Sequence, residues 1–118
     1  MASTVQYVLV RSDLLDDLKW PIGAVIAQAC HASTAALYLF RDDENTRKYT
    51  DNLDSMHKVV LACPSERELR AIHLKLTAAS ISHKLWMEQP EDIATALATK
   101  PYPKAEIASF FKHLKLYK

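Results

Sequence analysis

An uncharged segment of 21 residues, from Trp20 to Phe40, constrains the fold of this chain most strongly. It is long enough in principle to cross a bilayer. It is, however, rich in alanine rather than leucine, and polar residues such as Gln28 and His31 interrupt it. This composition favours a helix buried inside a soluble protein. Because no face of the helix carries a charge, we expect neighbouring elements to cover it on nearly all sides. No secretory signal is evident before it.

Length and composition exclude several classes of protein. The 118 residues correspond to one domain, residues 1–118. The chain has a single glycine, Gly23, whereas phosphate-binding loops and dinucleotide-binding fingerprints need several. Its two cysteines, Cys30 and Cys63, lie far apart and form no C-x-x-C motif. A structural zinc site or a disulfide framework is therefore disfavoured, and we expect a reducing, cytoplasmic location.

The order of hydrophobic patterns predicts a layered α/β domain. Ser65 followed by Glu68 forms a capping box at one helix start, and only residues 88–92 separate the last two strands, which must therefore be antiparallel. Alternation of strands and helices predicts a single three-layer α/β/α domain with a four-stranded mixed sheet. The predicted strands are residues 5–10, 57–62, 82–87 and 93–99, and the predicted helices are residues 21–40, 65–79 and 105–114, with one short helix inside 41–54.

Two polar residues of the uncharged helix are candidates for a functional site. Ala24, Gln28, His31 and Ala35 are spaced at i, i+4, i+7 and i+11 and share one stripe. Burying an amide or an imidazole without a partner costs about 1–3 kcal/mol. Gln28 and His31 therefore either bond to neighbouring backbone and fix the packing, or line a site.

A second candidate is the acidic segment 88–92, which contains three carboxylates at a strand end. Ligands tend to bind at strand ends in layered α/β folds. The alternative is a solvated acidic turn.

Charge is unevenly distributed, although the net charge of the chain is only +1. Residues 93–118 have a net charge of +4, which leaves −3 for residues 1–92. Lys100, Lys104 and Lys112 in this basic segment are candidates for contacts with an RNA phosphate backbone. A solvated lysine face is the alternative.

Residues 19–32, read as K-W-P-I-G-A-V-I-A-Q-A-C-H-A, resemble the opening motif of type II (archaeal-type) peptidyl-tRNA hydrolases. That motif, G-K-x-A-A-Q-x-x-H-A, follows an R-x-D-L strand end, which Arg11-Ser12-Asp13-Leu14 supplies here. Residues 97–103 and the helix after them resemble the family's L-x-I-G-P-x-P strand and closing helix. The segments A-Q-A-C-H-A, L-W-x-E-Q-P and P-Y-P-K place the chain near a divergent eukaryotic branch of this family.

The resemblance implies a fold, a reaction and a set of site residues. It implies a four-stranded mixed sheet between helices and hydrolysis of the ester that joins a peptide to the 3′ ribose of tRNA, without a metal or cofactor. Glu88 occupies the position of the family's aspartate and would orient water, while Gln28 and Thr95 would donate to the carbonyl or the ribose. His31 completes the predicted catalytic set. The family's lysine falls on Ala24, which predicts slow hydrolysis.

We therefore predict a cytoplasmic peptidyl-tRNA hydrolase acting in translation quality control, with peptidyl-tRNA or tRNA as its partner and with neither a membrane nor DNA. A homodimer is left open. The first alternative is a non-catalytic adaptor that binds tRNA or protein through the same cleft. The second is a purely structural interaction domain.

Overall fold

One mixed sheet organises residues 4–118, which are the residues that the computed structural model describes. Five of its strands follow the order β3-β4-β1-β2-β6, and β5 pairs with the start of β1. The strands are β1 (Thr4–Arg11), β2 (Lys58–Cys63), β3 (His83–Glu88), β4 (Ile93–Thr99), β5 (Tyr102–Pro103) and β6 (Lys115–Leu116). The helices are α1 (Asp13–Asp16), α2 (Ile22–Leu39), α3 (Glu44–Asp51), α4 (Glu66–Ala78) and α5 (Lys104–Ile107), with 3₁₀ turns at Leu53–Ser55 and Ala108–Phe111.

The predicted fold class is confirmed, but the number of strands is not four. β1 and β2 are parallel, and the predicted antiparallel pairing of β3 with β4 is present. The two additional strands, β5 and β6, contain only two residues each. Segments this short show no hydrophobic alternation, so they could not be predicted from the order of patterns along the chain.

Two hydrophobic layers enclose the sheet, as the three-layer prediction requires. Along β1, Val5, Tyr7 and Leu9 point to the face covered by α4, α5 and the following 3₁₀ turn. Val8 and Val10 point to the opposite face, which α2 covers. Successive strand residues point to opposite faces, so a buried central strand consists of apolar side chains on both.

The predicted helix 105–114 is wrong in extent. α5 ends at Ile107, a 3₁₀ turn reaches Phe111, and the chain then extends as β6 along the edge of β2. Ile107 and Phe111 are buried as expected. Pairing with β6 satisfies backbone groups that an exposed β2 edge would leave free, and a continuous helix could not do this.

The expectation that neighbours cover α2 on nearly all sides is also wrong. Although α2 is long and apolar enough to cross a membrane by length and composition, only 28 % of it is buried. It packs mainly on β1, β3 and β4, and Val60 of β2 at its side is 36 % exposed. Its buried residues form a single stripe, and Ile22 and Ile26 on the outer side are each 56 % exposed. The lack of charge on α2 therefore reflects an apolar outer surface as well as a buried inner one. The buried residues are Val25, Gln28, Ala32, Ser33 and Ala36.

Lys100 is buried, which corrects its predicted role in RNA binding. Its side chain is 7 % exposed and its Nζ lies 3.1 Å from Asp43 Oδ2. The ammonium also donates to the Pro101 carbonyl and lies 3.7 Å above the centre of the Tyr102 ring. Burial raises the pKa of Asp43, but the hydrogen bond from Lys100 and two backbone amides of α3 outweigh burial and lower it. Lys100 is a structural cation and cannot also neutralise a phosphate.

Replacing Lys100 by methionine should therefore destabilise the fold. The Lys100→Met variant loses a hydrogen bond between charged groups, which contributes about 1.5–3 kcal/mol. Urea unfolding should show this loss near neutral pH. The difference from wild type should shrink as the pH falls below 3.8, the ordinary pKa of Asp43, because the wild type then loses the ion pair as well. Lys104→Met, at an exposed position, is the control. Equal unfolding midpoints for the two variants would contradict this role of Lys100.

Candidate active site

A β-bulge places Thr95 beside α2. Trp86 pairs with Ala96 and Met87 pairs with Ala94, so Thr95 is an additional residue in β4 with no partner in this register. Leu97, two residues further on, packs on the α4 side of the sheet. Regular alternation would put Thr95 on that side too, but the Thr95 hydroxyl donates to Gln28 Oε1 at 2.7 Å on the α2 side. The bulge thus redirects one side chain towards the helix, as bulges near functional sites often do.

Gln28 is held in one orientation by all of its polar atoms. Its Oε1 accepts from Thr95, while its Nε2 donates to the Ala24 carbonyl and to Glu88 Oε2, each at 3.2 Å. A reversed amide would face its oxygen towards two other oxygens, so the network itself determines the orientation. The Gln28 amide therefore connects the threonine of the bulge to a carboxylate at the end of β3.

Glu88 receives a hydrogen bond on each carboxylate oxygen. Trp86 Nε1 donates to Oε1 at 3.1 Å and Gln28 Nε2 donates to Oε2 at 3.2 Å. The hydrogen bond from Trp86 lowers the pKa of Glu88 most strongly, and Gln28 and the nearby His31 lower it further against the opposing effect of burial. The carboxylate is therefore ionised at neutral pH and fixed in direction.

His31 stacks on Trp86 at the outer side of this network. The two ring centres lie 4.7 Å apart and the planes are inclined by only 15°. His31 is exposed, in contrast to Gln28, which is 2 % exposed one turn earlier on α2. Trp86 was not among the predicted site residues, because an aromatic residue inside a strand is indistinguishable in sequence from a core residue.

An open depression of about 300 Å³ lies next to Glu88. Its lining is formed by Trp20, Pro21, Ala24, Glu88 and Glu91. It contains two carboxylates and no cationic side chain within the part of the chain that the structure describes. The position that the resemblance assigns to a lysine, Ala24, opens directly onto this space.

The geometry brings the four predicted site residues together, and two of them use their donor groups within the protein. Both N–H groups of Gln28 and the hydroxyl of Thr95 are already used within the protein, and Thr95 is fully buried. Their role as donors to the substrate stays a prediction, which would require them to exchange these hydrogen bonds for substrate. They position Glu88, which leaves Glu88 and His31 as the members of the set that face the surface.

The predicted RNA-binding lysines do not join this site. Lys104 is exposed but follows β5, which pairs with the start of β1, whereas Glu88 lies beyond the end of β1. Lys112 is exposed beside the 3₁₀ turn on the α4 side of the sheet. Lys104 thus lies at the far end of the sheet from the carboxylate.

Side chains that could bind a metal do not cluster in residues 4–118. No group of three or more histidine, cysteine, aspartate or glutamate side chains there is arranged to hold an ion. His73 Nδ1 and His83 Nε2 do lie 2.8 Å apart. The His83 Nδ1 contact with the Ile81 carbonyl requires a donated N–H, so this pair is a hydrogen bond between α4 and the start of β3.

Comparison with known proteins identifies the family of this chain. The family model described as "Peptidyl-tRNA hydrolase PTH2" matches residues 4–117. The human protein named "Putative peptidyl-tRNA hydrolase PTRHD1" is 47 % identical over 115 residues, which cover 97 % of this chain and 82 % of that protein. A protein of Methanothermobacter thermautotrophicus named "Peptidyl-tRNA hydrolase" is 32 % identical over 116 residues, which cover 94 % of this chain and 97 % of that protein.

The fold also has a distant counterpart among solved structures. A protein of unknown function from Agrobacterium tumefaciens superposes with a TM-score of 0.61 over the full length of both chains, at 14 % identity. At that identity the likeness concerns the fold alone. The match to the family model over nearly the whole chain and the two relatives establish that the chain belongs to the peptidyl-tRNA hydrolase PTH2 family.

Proposed function

We propose that this chain hydrolyses the ester between a peptide and the 3′ ribose of tRNA, with Glu88 as the residue that orients and deprotonates water. One observation supports this most directly. An ionised carboxylate, held by donors on both oxygens, borders an open depression. Membership of the PTH2 family supplies the substrate class. Cytoplasmic translation quality control is the corresponding setting.

The reaction needs one base and one proton donor. A lone pair of Glu88 accepts a proton from water as the water oxygen bonds to the ester carbonyl carbon. The carbonyl becomes an oxyanion, and its collapse breaks the bond to the 3′ oxygen. That oxygen takes up a proton, which Glu88 or a second water returns. The lowered pKa makes Glu88 a weaker base than an ordinary glutamate, so fixing the position of the water contributes together with accepting its proton.

The electrostatics of the depression predict slow hydrolysis. An oxyanion needs donors, and loss of one such donor commonly costs about 2.7–4 kcal/mol. The lysine that the family places at position 24 is absent, and Glu88 and Glu91 supply only negative charge. Peptide release should therefore be measured with enzyme in stoichiometric amounts.

The Glu88→Gln variant tests the proposed reaction. Removal of a positioned base usually slows a reaction by about 10²–10⁴-fold, and we expect a loss in this range in single-turnover release of peptide from purified peptidyl-tRNA. The exposed Glu106→Gln variant is the control for removal of a carboxylate elsewhere. Equal rates for wild type and Glu88→Gln would remove Glu88 from the reaction. Absence of release by wild type, beside an active type II hydrolase, would contradict the proposed function.

Restoring a cation at position 24 should accelerate release. The depression beside Ala24 has room for a longer side chain, and a lysine there would lie near Glu88 and the developing oxyanion. We expect Ala24→Lys to be at least about tenfold faster than wild type, because one donor of this kind contributes more than about 2 kcal/mol. Ala24→Met, of similar length but uncharged, separates charge from volume. Thermal melting of both variants establishes that they are folded, and equal rates for the two would contradict the prediction.

The two exposed lysines of the basic segment remain our prediction for binding the tRNA body. Reversing the charge at Lys104 and Lys112 should weaken tRNA binding and reduce the slope of log K against log salt by about 0.7–0.9 for each phosphate that the protein no longer neutralises. Lys75→Glu on α4 is the matched control, since this lysine is also exposed. An affinity and a salt slope unchanged from wild type would place the tRNA on another surface.

A non-catalytic adaptor is the second candidate, and the depression without a cation favours it. Wild-type protein that binds tRNA but releases no peptide, even as Ala24→Lys, would make the adaptor the better explanation. A homodimer and the absence of membrane and DNA partners stay predictions. The molar mass in solution decides the first of these.

A further inference from the structure

The stacked pair of His31 and Trp86 is a surface that the hydrolytic chemistry above does not use. Trp86 is half-buried, while His31 is exposed and its imidazole lies nearly parallel to the indole at a ring-centre distance of 4.7 Å. One face of the imidazole is covered by Trp86. The stack therefore ends at the protein surface in an aromatic ring.

The surroundings of His31 argue against proton transfer as its main role. A histidine that acts as an acid or base is normally oriented by a hydrogen bond to one of its ring nitrogens. Within residues 4–118 the imidazole nitrogens of His31 have no hydrogen-bond partner, and its ring is held by the stack instead. Gln28 and Glu88, in contrast, are fixed by hydrogen bonds on every polar side-chain atom.

The stack is linked directly to the carboxylate. Trp86 supplies both the ring beneath His31 and the Nε1–H that holds Glu88 Oε1 at 3.1 Å. His31 is also close enough to lower the pKa of Glu88. A planar group placed on His31 would thus be adjacent to the water-orienting carboxylate.

We infer that the exposed face of His31, supported by Trp86, binds the terminal purine base of a single-stranded 3′ end. The inference rests on the proposed function, in which the ester is carried by the ribose of the terminal adenosine. Base and ester then belong to the same nucleoside, so one stacking contact positions the carbonyl near Glu88. Proteins commonly hold splayed single-stranded bases by stacking on aromatic rings, including histidine.

The test compares two RNA probes. One is the trinucleotide CCA, and the other has the same backbone but lacks the terminal base. By NMR titration, CCA should shift the His31 ring protons upfield and the abasic probe should not. Binding of both probes with equal affinity, or no binding of CCA at millimolar concentration, would overturn the inference.

Variants at His31 distinguish stacking of a base on its ring from a role of its titratable nitrogens. His31→Ala should weaken CCA binding by about 5- to 150-fold, which corresponds to the 1–3 kcal/mol typical of one stacked base. His31→Phe keeps an aromatic face without a titratable group and should retain the affinity. The exposed His113→Ala is the control for loss of an imidazole elsewhere. Equal losses in the alanine and phenylalanine variants would contradict stacking.

The outcome for stacking is independent of the outcome for hydrolysis. If peptide release occurs but His31→Ala binds CCA like wild type, base stacking on His31 is ruled out and the proposed function stands. If CCA stacks on His31 but wild type releases no peptide, base stacking on His31 is supported and the hydrolase proposal fails. In a protein that does both, His31→Ala should raise KM more than it lowers kcat, and His31→Phe should raise KM less than His31→Ala does.

Discussion

The site depends on the hydrogen bond between the Thr95 hydroxyl and Gln28 Oε1. This 2.7 Å contact is made where both residues are almost completely buried, so an unmade bond would leave two polar groups without water. With the Gln28 oxygen occupied by Thr95, its nitrogen must face Glu88 and the Ala24 carbonyl. A bulge in β4 thereby determines the direction of a carboxylate at the end of β3. The carboxylate is the chemical group, and the threonine and glutamine are its support.

In the reaction that we propose, this arrangement supplies one half of ester hydrolysis. A carboxylate with a lowered pKa and fixed direction orients water at neutral pH without waiting for deprotonation. The other half, stabilisation of the oxyanion, lacks the cation that the family resemblance places at position 24. This imbalance is the physical reason why slow hydrolysis and an adaptor role are the two functions that compete.

The sequence predicts the layers, and the residues that it nominates for the site do lie together, but it does not predict the hydrogen bonds among them. Hydrophobic alternation and the capping residue Ser65 are local signals, and they located the main strands and α4 correctly. Family motifs pointed to Gln28 and Glu88. Gln28 Nε2 and Glu88 Oε2 lie 3.2 Å apart, although the two residues are 60 positions apart in sequence. The bulge at Thr95 could not be predicted from the sequence, because a threonine looks the same there whether its strand is regular or bulged. The burial of Lys100 could not be predicted either, because it depends on an ion pair with Asp43, which is distant in sequence. The β6 strand could not be predicted either, because it forms by pairing with the edge of β2, and this edge exists only in the folded sheet.

The partial exposure of α2 shows that amino-acid composition alone does not predict which residues are buried. An uncharged helix was expected to be enclosed, yet the sheet extends beyond it at β2 and leaves Ile22 and Ile26 exposed. Apolar residues are no proof of burial, because much of any protein surface is apolar. Of the two polar residues on the predicted stripe, Gln28 is buried and His31 is exposed, and this difference decides what each can do.

The ionisation of Glu88 is the property on which the proposed chemistry rests, and it can be measured directly. Carbon-13 NMR of its carboxyl group, followed against pH, should give a midpoint below the ordinary value of 4.5. In Trp86→Phe, which keeps a ring beneath His31 but removes the donor to Oε1, the midpoint should move up. A wild-type midpoint at or above 4.5, or one that Trp86→Phe does not change, would contradict the claim that these donors hold an ionised carboxylate ready for water.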